Sequence, residues 1–509
     1  MLKDFTLCSL FANTSPLCSE ETAKSLQFPL ADYITYTTKD PLEIRERQKL
    51  FRDLSASPTL TARLEEALEK LTTLAELSRK IGNVQNHSNE GLLYALVELV
   101  SFVDTAELLD AAYTEAETVK SEKLLQFFRS IRALTEDSQY IHLKNWLYGL
   151  ESNMRSIRSL TLGVNLDAQL NVSEVGIISI NDKPYVSNRF LDRALRDETP
   201  PPEFTCIAAV GIRETGSLLQ KSQIVINREF YTAINEITGG TLKSLRKYLS
   251  AEIRDALTAM LAVESDLHFL LHAVRYIQKL QESGLPITYP GISQKVRIQS
   301  LYNPLLTEKM PARSIVPSSV IFAEECIGVL TGPNAGGKTV YLTAVGQAQL
   351  CFQLGLPVCA VAAEMNPYDS LQIHFVSAVR KQSESRLVNE TVKLKEILES
   401  LSENTLFLLD ETFSSTSAYD GLYLAEALLQ YLLRVGCHCL YVTHLHSLAE
   451  RIQEMRRNGE SRIQMLSAHT ENGKRTYRIV PSDGDTLQRS LAEDIIRENG
   501  LGFLLDGRP

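Results

Sequence analysis

The sequence is poor in cysteine and has no pair of cysteines at metal-binding spacing. Eight cysteines are scattered over 509 residues, and none of them forms a C-x-x-C pattern. This distribution argues against a zinc site or a disulfide framework and favours a reducing cytoplasm. A secretory leader, internal repeats and apolar runs of membrane-spanning length are also missing from the sequence. We therefore expect a cytoplasmic protein with no membrane segment.

Positive charge is not in excess either. The formal net charge is −10, with 52 Lys and Arg against 62 Asp and Glu. An acidic balance argues against indiscriminate nucleic-acid binding, although a local basic stripe can still bind phosphates. The chain length suffices for about two to four domains. Hydrophobic residues make up 44% of the sequence and charged residues 22%, which is ordinary for a globular protein.

A glycine-rich loop is the most informative segment of the sequence. It reads Thr331-Gly332-Pro333-Asn334-Ala335-Gly336-Gly337-Lys338-Thr339 and fits G-x-x-x-x-G-K-[ST], a pattern that cradles nucleotide phosphates. The apolar run 327–330 predicts a strand before the loop, and 340–356 predicts a helix whose N-terminus attracts anions. We expect Lys338 to reach the β and γ phosphates and Thr339 to bind Mg²⁺. The loop therefore predicts binding of ATP or GTP.

Two carboxylates end a second apolar segment, at 406–411. Asp410, at the end of the predicted strand, is placed to hold the Mg²⁺ shell, and Glu411 is placed to polarise an attacking water. The alternative is a core strand with ordinary acidic residues at its end. A further predicted strand, 437–443, ends at His444. Because ligands bind at the carboxyl ends of parallel strands, we expect His444 to contact the γ-phosphate.

The pattern of apolar residues divides the chain into a helical and an α/β part. Apolar stripes predict long helices at 42–54, 61–81, 90–113, 121–150 and 250–282. Strand-forming runs at 160–164, 175–180, 204–210 and 223–226 predict a small β-containing insertion between them. From about residue 297 the chain is α/β, with a hairpin around Asn472-Gly473 and a last helix at 490–498. His268 and His272 have metal-binding spacing, but without a third ligand we favour packing.

The quoted motifs identify a family resemblance. The loop at 331–339 resembles the T-G-P-N-x-G-G-K-[ST] loop of MutS-type ATPases. Asp410-Glu411 with the following 415–421 resembles their D-E-x-x-x-x-T-S-x-x-D-G run, and Thr443-His444 resembles their T-H. Outside the ATPase motifs, similar segments are 40–54, 74–81, 265–280, 477–481 and 490–501. The resemblance therefore covers most of the chain.

The resemblance implies a multidomain fold and a mechanism. The implied domains are an all-α core or lever (1–159), a clamp-like insertion with strands (160–230), returning core helices (231–290) and a C-terminal α/β P-loop ABC-type ATPase with a dimerisation helix (291–509). ATP and Mg²⁺ would bind between two subunits of a homodimer. Residues from Gly332 to Val340 would contact the nucleotide, with Lys338, Glu411 and His444 catalytic and Thr339 and Asp410 on the metal.

In this family a serine at a helix N-terminus donates to the γ-phosphate bound by the other subunit. Ser385 matches that position, and Glu390 matches the family's glutamate five residues later. A hydroxyl at a helix N-terminus is a good anion donor. The alternative is that Ser385 only caps its own helix.

Three positions depart from the family pattern. Glu384 places a negative charge beside Ser385, Phe413 and its neighbours leave no arginine after Glu411, and Ile315 stands where an aromatic residue often contacts adenine. A like charge near a phosphate and a weaker base contact both oppose nucleotide binding. We therefore expect hydrolysis to be slow or dependent on a partner.

The resemblance leads to two functional hypotheses. The first is an ATP-hydrolysing dimeric DNA clamp, acting on branched DNA without mismatch recognition, since the chain begins almost directly at the helical core. Arg189, Arg193 and Arg196 are candidate phosphate contacts, although a solvated face paired with Asp192 and Asp197 is slightly favoured. The second hypothesis is an ATP-gated scaffold that does not bind DNA. Its partner would be a protein, which the acidic charge favours, or alternatively an RNA or a ribosome.

Overall fold

The structure of the chain is a computed structural model. It describes residues 33, 35–82, 89–114, 119–155, 159–166, 172–181, 186–187, 205–206, 251–322, 326–333, 335–375, 386–414, 416–471 and 474–482. The chain divides into two compact units. The first comprises residues 1–61, 118–124 and 268–509, and the second comprises 62–117 and 125–267. The boundaries of the four predicted domains stay a prediction.

The first part of the chain is helical, as the apolar stripes predict. The helices are α1 (Pro41–Ala56), α2 (Pro58–Gly82), α3 (Asn89–Tyr113), α4 (Glu122–Thr135) and α5 (Ser138–Arg155). Local sequence explains the start of helix α1. The Asp40 carboxylate accepts the Leu42 N–H at 2.9 Å, and Pro41, at the first helical position, has no N–H that needs an acceptor. Its buried face includes Ile44, Phe51 and Leu54.

One predicted helix is wrong, because 121–150 forms two helices instead of one. The break falls at Glu136 and Asp137. The Asp137 carboxylate accepts the N–H groups of Gln139 and Tyr140, at 2.8 and 3.2 Å, and so caps the start of α5. An aspartate that binds backbone N–H groups favours a helix start over a helix interior. Apolar periodicity continued through the break and hid it.

The predicted insertion contains strands where the structure describes it. Strands β1 (Ser159–Leu166) and β2 (Val172–Asn181) pair antiparallel, and the short β3 (Val186–Ser187) and β4 (Thr205–Cys206) pair parallel. The predicted strand at 223–226 and the three arginines Arg189, Arg193 and Arg196 lie outside the described residues. Helix α6 (Ala251–Glu282) then matches the prediction for 250–282.

By length and composition, one helix among the described residues could cross a membrane. It is Ile253–Glu282, with a mean hydropathy of 1.3 in its most apolar window. The expectation that no run reaches this length overlooked it. Its apolar residues include Phe269, Val274 and Ile277, which are buried against protein, and a core helix passes the same test. His272 accepts or donates at 2.7 Å to the Tyr33 hydroxyl, in agreement with packing.

The second half has helices and mixed sheets, in agreement with the expected α/β class. Its strands in chain order are β5 (Gly291–Ile292), β6 (Val296–Leu301), β7 (Ser318–Phe322), β8 (Ile327–Thr331), β9 (Ala362–Met365), β10 (Ser370–Phe375), β11 (Thr405–Asp410), β12 (His438–Val442), β13 (Ile463–Glu471) and β14 (Lys474–Pro481). Its helices are α7 (Leu306–Lys309), α8 (Lys338–Leu354), α9 (Arg386–Ser400), α10 (Ala418–Val435) and α11 (His446–Arg457).

A six-stranded sheet positions the predicted motifs. Its order is β10-β11-β12-β8-β13-β14, with parallel pairing throughout except for the antiparallel hairpin β13–β14 that the sequence predicts. A smaller sheet has the order β5-β9-β6-β7. Strands β8 and β11 are buried along their whole length, which explains their unbroken apolar runs. Because β8, β11 and β12 are parallel neighbours, their carboxyl ends meet at one edge of the sheet.

Candidate functional site

The glycine-rich loop connects β8 to α8, as predicted. Gly332 has φ 130° and Gly337 has φ 91°, both in the region that favours glycine. A Cβ on Gly332 would lie 2.9 Å from the Ala468 Cβ, and one on Gly336 would lie 2.9 Å from the Pro333 carbonyl oxygen. The loop therefore requires glycine at these positions. Asn334 lies outside the described residues.

Lys338 is buried under this loop. Its Nζ donates to the carbonyl oxygens of Gly332 and Pro333, at 2.9 and 3.0 Å. Burial lowers the pKa of Lys338, while the nearby carboxylates of Glu411 and Asp410 act in the opposite direction. The ammonium group is thus held at the loop by polar partners and two acidic neighbours. A buried positive charge at this place fits a polyphosphate.

Asp410, the last residue of β11, is buried beside Thr339. Burial raises its pKa, and Glu411 adds to the rise; the Thr339 hydroxyl, Lys338 and His444 oppose it. Its Oδ1 is buried without a hydrogen-bond partner in the described part of the chain. A buried carboxylate oxygen without a partner beside a hydroxyl is a donor set that suits Mg²⁺. Thr339 and Asp410 therefore fit the metal ion that the sequence implies.

Glu411 and His444 meet because β11 and β12 are paired in register. Asp410 lies opposite Val442, and the Glu411 N–H donates to the Val442 carbonyl at 2.9 Å. The His444 Nε2 then lies 2.5 Å from the Glu411 Oε1. The two side chains are about 33% and 41% exposed, which leaves them open to solvent and to a ligand. An acid–histidine pair of this kind can hold and orient a water.

A cavity of about 860 Å³ lies against the loop. Lys338, Glu411 and His444 line one part of it, and the loop segment 335–337 lines another. The rest of its wall is largely apolar and consists of Leu301, Tyr302, Asn303, Leu306, Met310, Ser314, Val316, Ser318, Thr339, Val340, Tyr341, Ala344 and Tyr477. The cavity therefore combines a charged end with an apolar end, as a nucleotide requires.

The remaining predicted residues differ in their relation to the cavity. Val340 lines the cavity and is 40% exposed. Ile315 is buried, and its neighbours Ser314 and Val316 line the cavity in its place. Ser385 lies outside the described residues. The roles of all these residues stay predictions.

Tyr477 is a residue that sequence reasoning did not assign to the site. It stands on the edge strand β14 with φ 58°, is 52% exposed and lines the cavity. Its ring lies about 3.8 Å from where a Cβ of Gly337 would be. A half-exposed aromatic ring beside the loop can stack on a base. No motif marks it, because its place depends on the β13–β14 pairing and on an unusual backbone angle.

Comparison with known proteins gives the family. The model of MutS domain V matches residues 328–486, and that of the MutS2 N-terminal domain matches residues 39–283. A DNA mismatch repair protein MutS from an Exiguobacterium species is 24% identical over 80% of this chain and 49% of its own length. The proteins of the same name from Bacillus cereus and Microcystis aeruginosa are 23% and 25% identical, over 87% and 81% of this chain and 51% and 48% of theirs.

The chain belongs to the MutS family. The two matched segments together cover most of its residues, as the resemblance of its motifs predicts. The chain spans about half the length of the relatives named above.

Proposed function

We propose that the protein binds Mg²⁺ and ATP at this site and hydrolyses ATP. The observation that supports this most is the convergence of Lys338, Glu411 and His444 on one cavity at the carboxyl ends of adjacent parallel strands, with the buried Asp410 beside them. Parallel sheets bind ligands at this edge. The family membership supports the same activity.

Each of these residues has a separate role in phosphoryl transfer. Lys338 compensates the charge of the β and γ phosphates, and the loop glycines admit them close to the backbone N–H groups. Glu411 positions the attacking water and accepts its proton, while His444 orients Glu411 through their 2.5 Å contact. Thr339 and Asp410 would hold Mg²⁺, which would supply positive charge against the charge that develops on the phosphate oxygens. Tyr477 stacks on the adenine base.

We propose further that the active form is a homodimer that binds DNA. The relatives described above are named DNA mismatch repair proteins, and this name supports DNA as the partner. The substrate we favour is branched or otherwise non-standard DNA, bound without mismatch recognition, by a protein of the cytoplasm. The net charge of −10 favours the alternative, an ATP-gated scaffold that binds a protein and no DNA.

The first test measures ATP turnover with Mg²⁺, alone and with single-stranded, duplex, forked and four-way-junction DNA, at two salt concentrations. We expect turnover that one DNA structure stimulates and high salt reduces, because phosphate contacts release counterions. Lys338→Ala should abolish turnover, since it removes the charge that faces the phosphates.

This experiment tests the nucleotide site and the binding of DNA separately. Normal turnover by Lys338→Ala would exclude the site. Turnover that no DNA changes would exclude the DNA clamp and favour the scaffold. A matched variant, Lys395→Ala on the exposed side of α9, should behave like the unsubstituted protein, because its ion pair with Glu399 lies on the surface.

A further inference from the structure

The turn that presents Glu411 has an unfavourable backbone. Glu411 and Phe413 have φ angles of 55° and 69°, and neither is glycine. Side chains with a Cβ disfavour this left-handed region, and two such residues within three positions require neighbours that hold them. Without those neighbours the turn would relax and Glu411 would leave its contact with His444.

Three buried side chains from three different elements hold this turn. Glu390 on α9 is 6% exposed, and its Oε1 accepts the Phe413 N–H at 2.6 Å. His374 on β10 hydrogen-bonds through Nδ1 to the Thr412 hydroxyl at 2.9 Å. The Tyr441 hydroxyl on β12 donates to the Thr412 carbonyl at 2.9 Å. Every residue from 411 to 413 is therefore fixed, since the Glu411 N–H also donates to Val442.

Glu390 makes the contact that best explains the strained residue. Phe413 is buried, so its N–H has no water to bind and needs a protein acceptor. A carboxylate accepts without donating and gives a short bond, which agrees with the 2.6 Å distance. Glu390 lines no part of the cavity. It can act on a reaction there through the turn that it holds.

We propose that Glu390 is a positioning residue for ATP hydrolysis, which holds the 411–413 turn so that Glu411 faces the attacking water. This role rests on the proposed function. It differs from a role in nucleotide binding, because the loop and Lys338 lie on other elements. Loss of the Glu390 acceptor should lower kcat and leave the affinity for ATP unchanged.

The test compares Glu390→Gln with Glu390→Met in the full chain. Both side chains nearly match glutamate in volume, and only glutamine keeps an oxygen that can accept the Phe413 N–H. We expect Glu390→Met to lower kcat about ten- to hundredfold, since displacement of a catalytic group by about 1 Å has an effect of this size. We expect Glu390→Gln to retain most of the turnover. The KM for ATP and the binding of a non-hydrolysable ATP analogue should stay unchanged in both.

The matched control is Glu396→Met, on the exposed side of the same helix, which should leave kcat and the unfolding midpoint unchanged. Unchanged kcat in Glu390→Met would overturn the positioning role, and so would equal losses in both Glu390 variants. Lost analogue binding or a collapsed unfolding transition in Glu390→Met, with Glu390→Gln intact, would show a general structural role and overturn it too. Absence of turnover in the unsubstituted protein would overturn the proposed function itself, and this role with it.

Discussion

Asp410 shows that a residue can favour the proposed reaction and oppose folding. Burial raises its pKa, and its Oδ1 has no hydrogen-bond partner in the described part of the chain. A folded-state pKa above the unfolded one means that the stabilising contribution is present at low pH and is lost as pH rises. At neutral pH the buried charge therefore lowers the free energy of unfolding.

Asp410→Asn should separate these two effects. We expect the variant to be more stable than the unsubstituted protein at pH 7 without Mg²⁺ and nucleotide, because it removes the buried charge. We expect its Mg²⁺-dependent turnover to fall by about a hundredfold or more. Denaturant unfolding measures the stability, and a turnover assay over a Mg²⁺ titration measures the activity.

A variant less stable than the unsubstituted protein would contradict the expected gain in stability. Glu396→Gln, on the surface, serves as the control.

Local spacing explains which site residues the sequence predicts. Lys338 and Thr339 follow from the loop motif, and Asp410 and Glu411 follow from the end of an apolar run. Tyr477 and the contact of Glu390 with Phe413 do not follow from local spacing. Each depends on packing between segments that are distant in the sequence and on a residue with a positive φ angle. Ile315 was predicted from its position before the loop, and the structure gives that part of the wall to Ser314 and Val316.

At the scale of elements, periodicity predicts the existence of helices and strands better than their ends. The sequence predicts α8 and the β13–β14 hairpin, since the glycine-rich loop before α8 and the turn residues of the hairpin are local signals. It misses the break between α4 and α5, because the apolar periodicity continues through this break although the Asp137 cap is itself local. The small sheet β5-β9-β6-β7 joins segments up to about 70 residues apart, and no local pattern marks such pairing.

The end of α8 offers a test of how this element is held. Gly355 ends the helix with φ 84°, and its N–H and that of Leu356 donate back to Phe352 and Cys351. A Cβ on Gly355 would lie 2.4 Å from the Cβ of Arg47, which is 1% exposed on α1. Helix α1 therefore approaches α8 closely because residue 355 has no side chain.

Gly355→Ala should destabilise the protein by about 2–4 kcal/mol, of which about 1–2 kcal/mol comes from the left-handed backbone and the rest from overpacking. Gly284→Ala is the matched control, since Gly284 has φ 71° but no atom within 4 Å of its would-be Cβ. The control should cost only the backbone part. Equal losses of unfolding free energy in the two variants, measured by denaturant titration, would show that the α1–α8 contact accommodates the added methyl group without overpacking.

At the scale of the whole molecule, buried histidines make stability depend on pH. Burial lowers the pKa of His374, opposed by Glu390, and burial also lowers the pKa of His438. A histidine whose folded pKa is depressed stays neutral in the fold while the unfolded chain binds a proton. Stability is therefore full above the ordinary value of 6.5 and is lost as pH falls below it.

We expect the free energy of unfolding to fall between pH 6.5 and 5.5, with each of the two histidines contributing up to about 1.4 kcal/mol per pH unit. The raised pKa values of Asp410 and Glu98 act in the opposite direction, so the decisive quantity is the difference between variants. His374→Gln should lose less stability on acidification than the unsubstituted protein, whereas His142→Gln, at an exposed position, should not differ from it. Denaturant titrations at pH 7.5, 6.5 and 5.5 give these slopes. Parallel slopes for His374→Gln and the unsubstituted protein would mean that His374 takes up its proton in the fold, and that the contacts around Thr412 tolerate a charged imidazole.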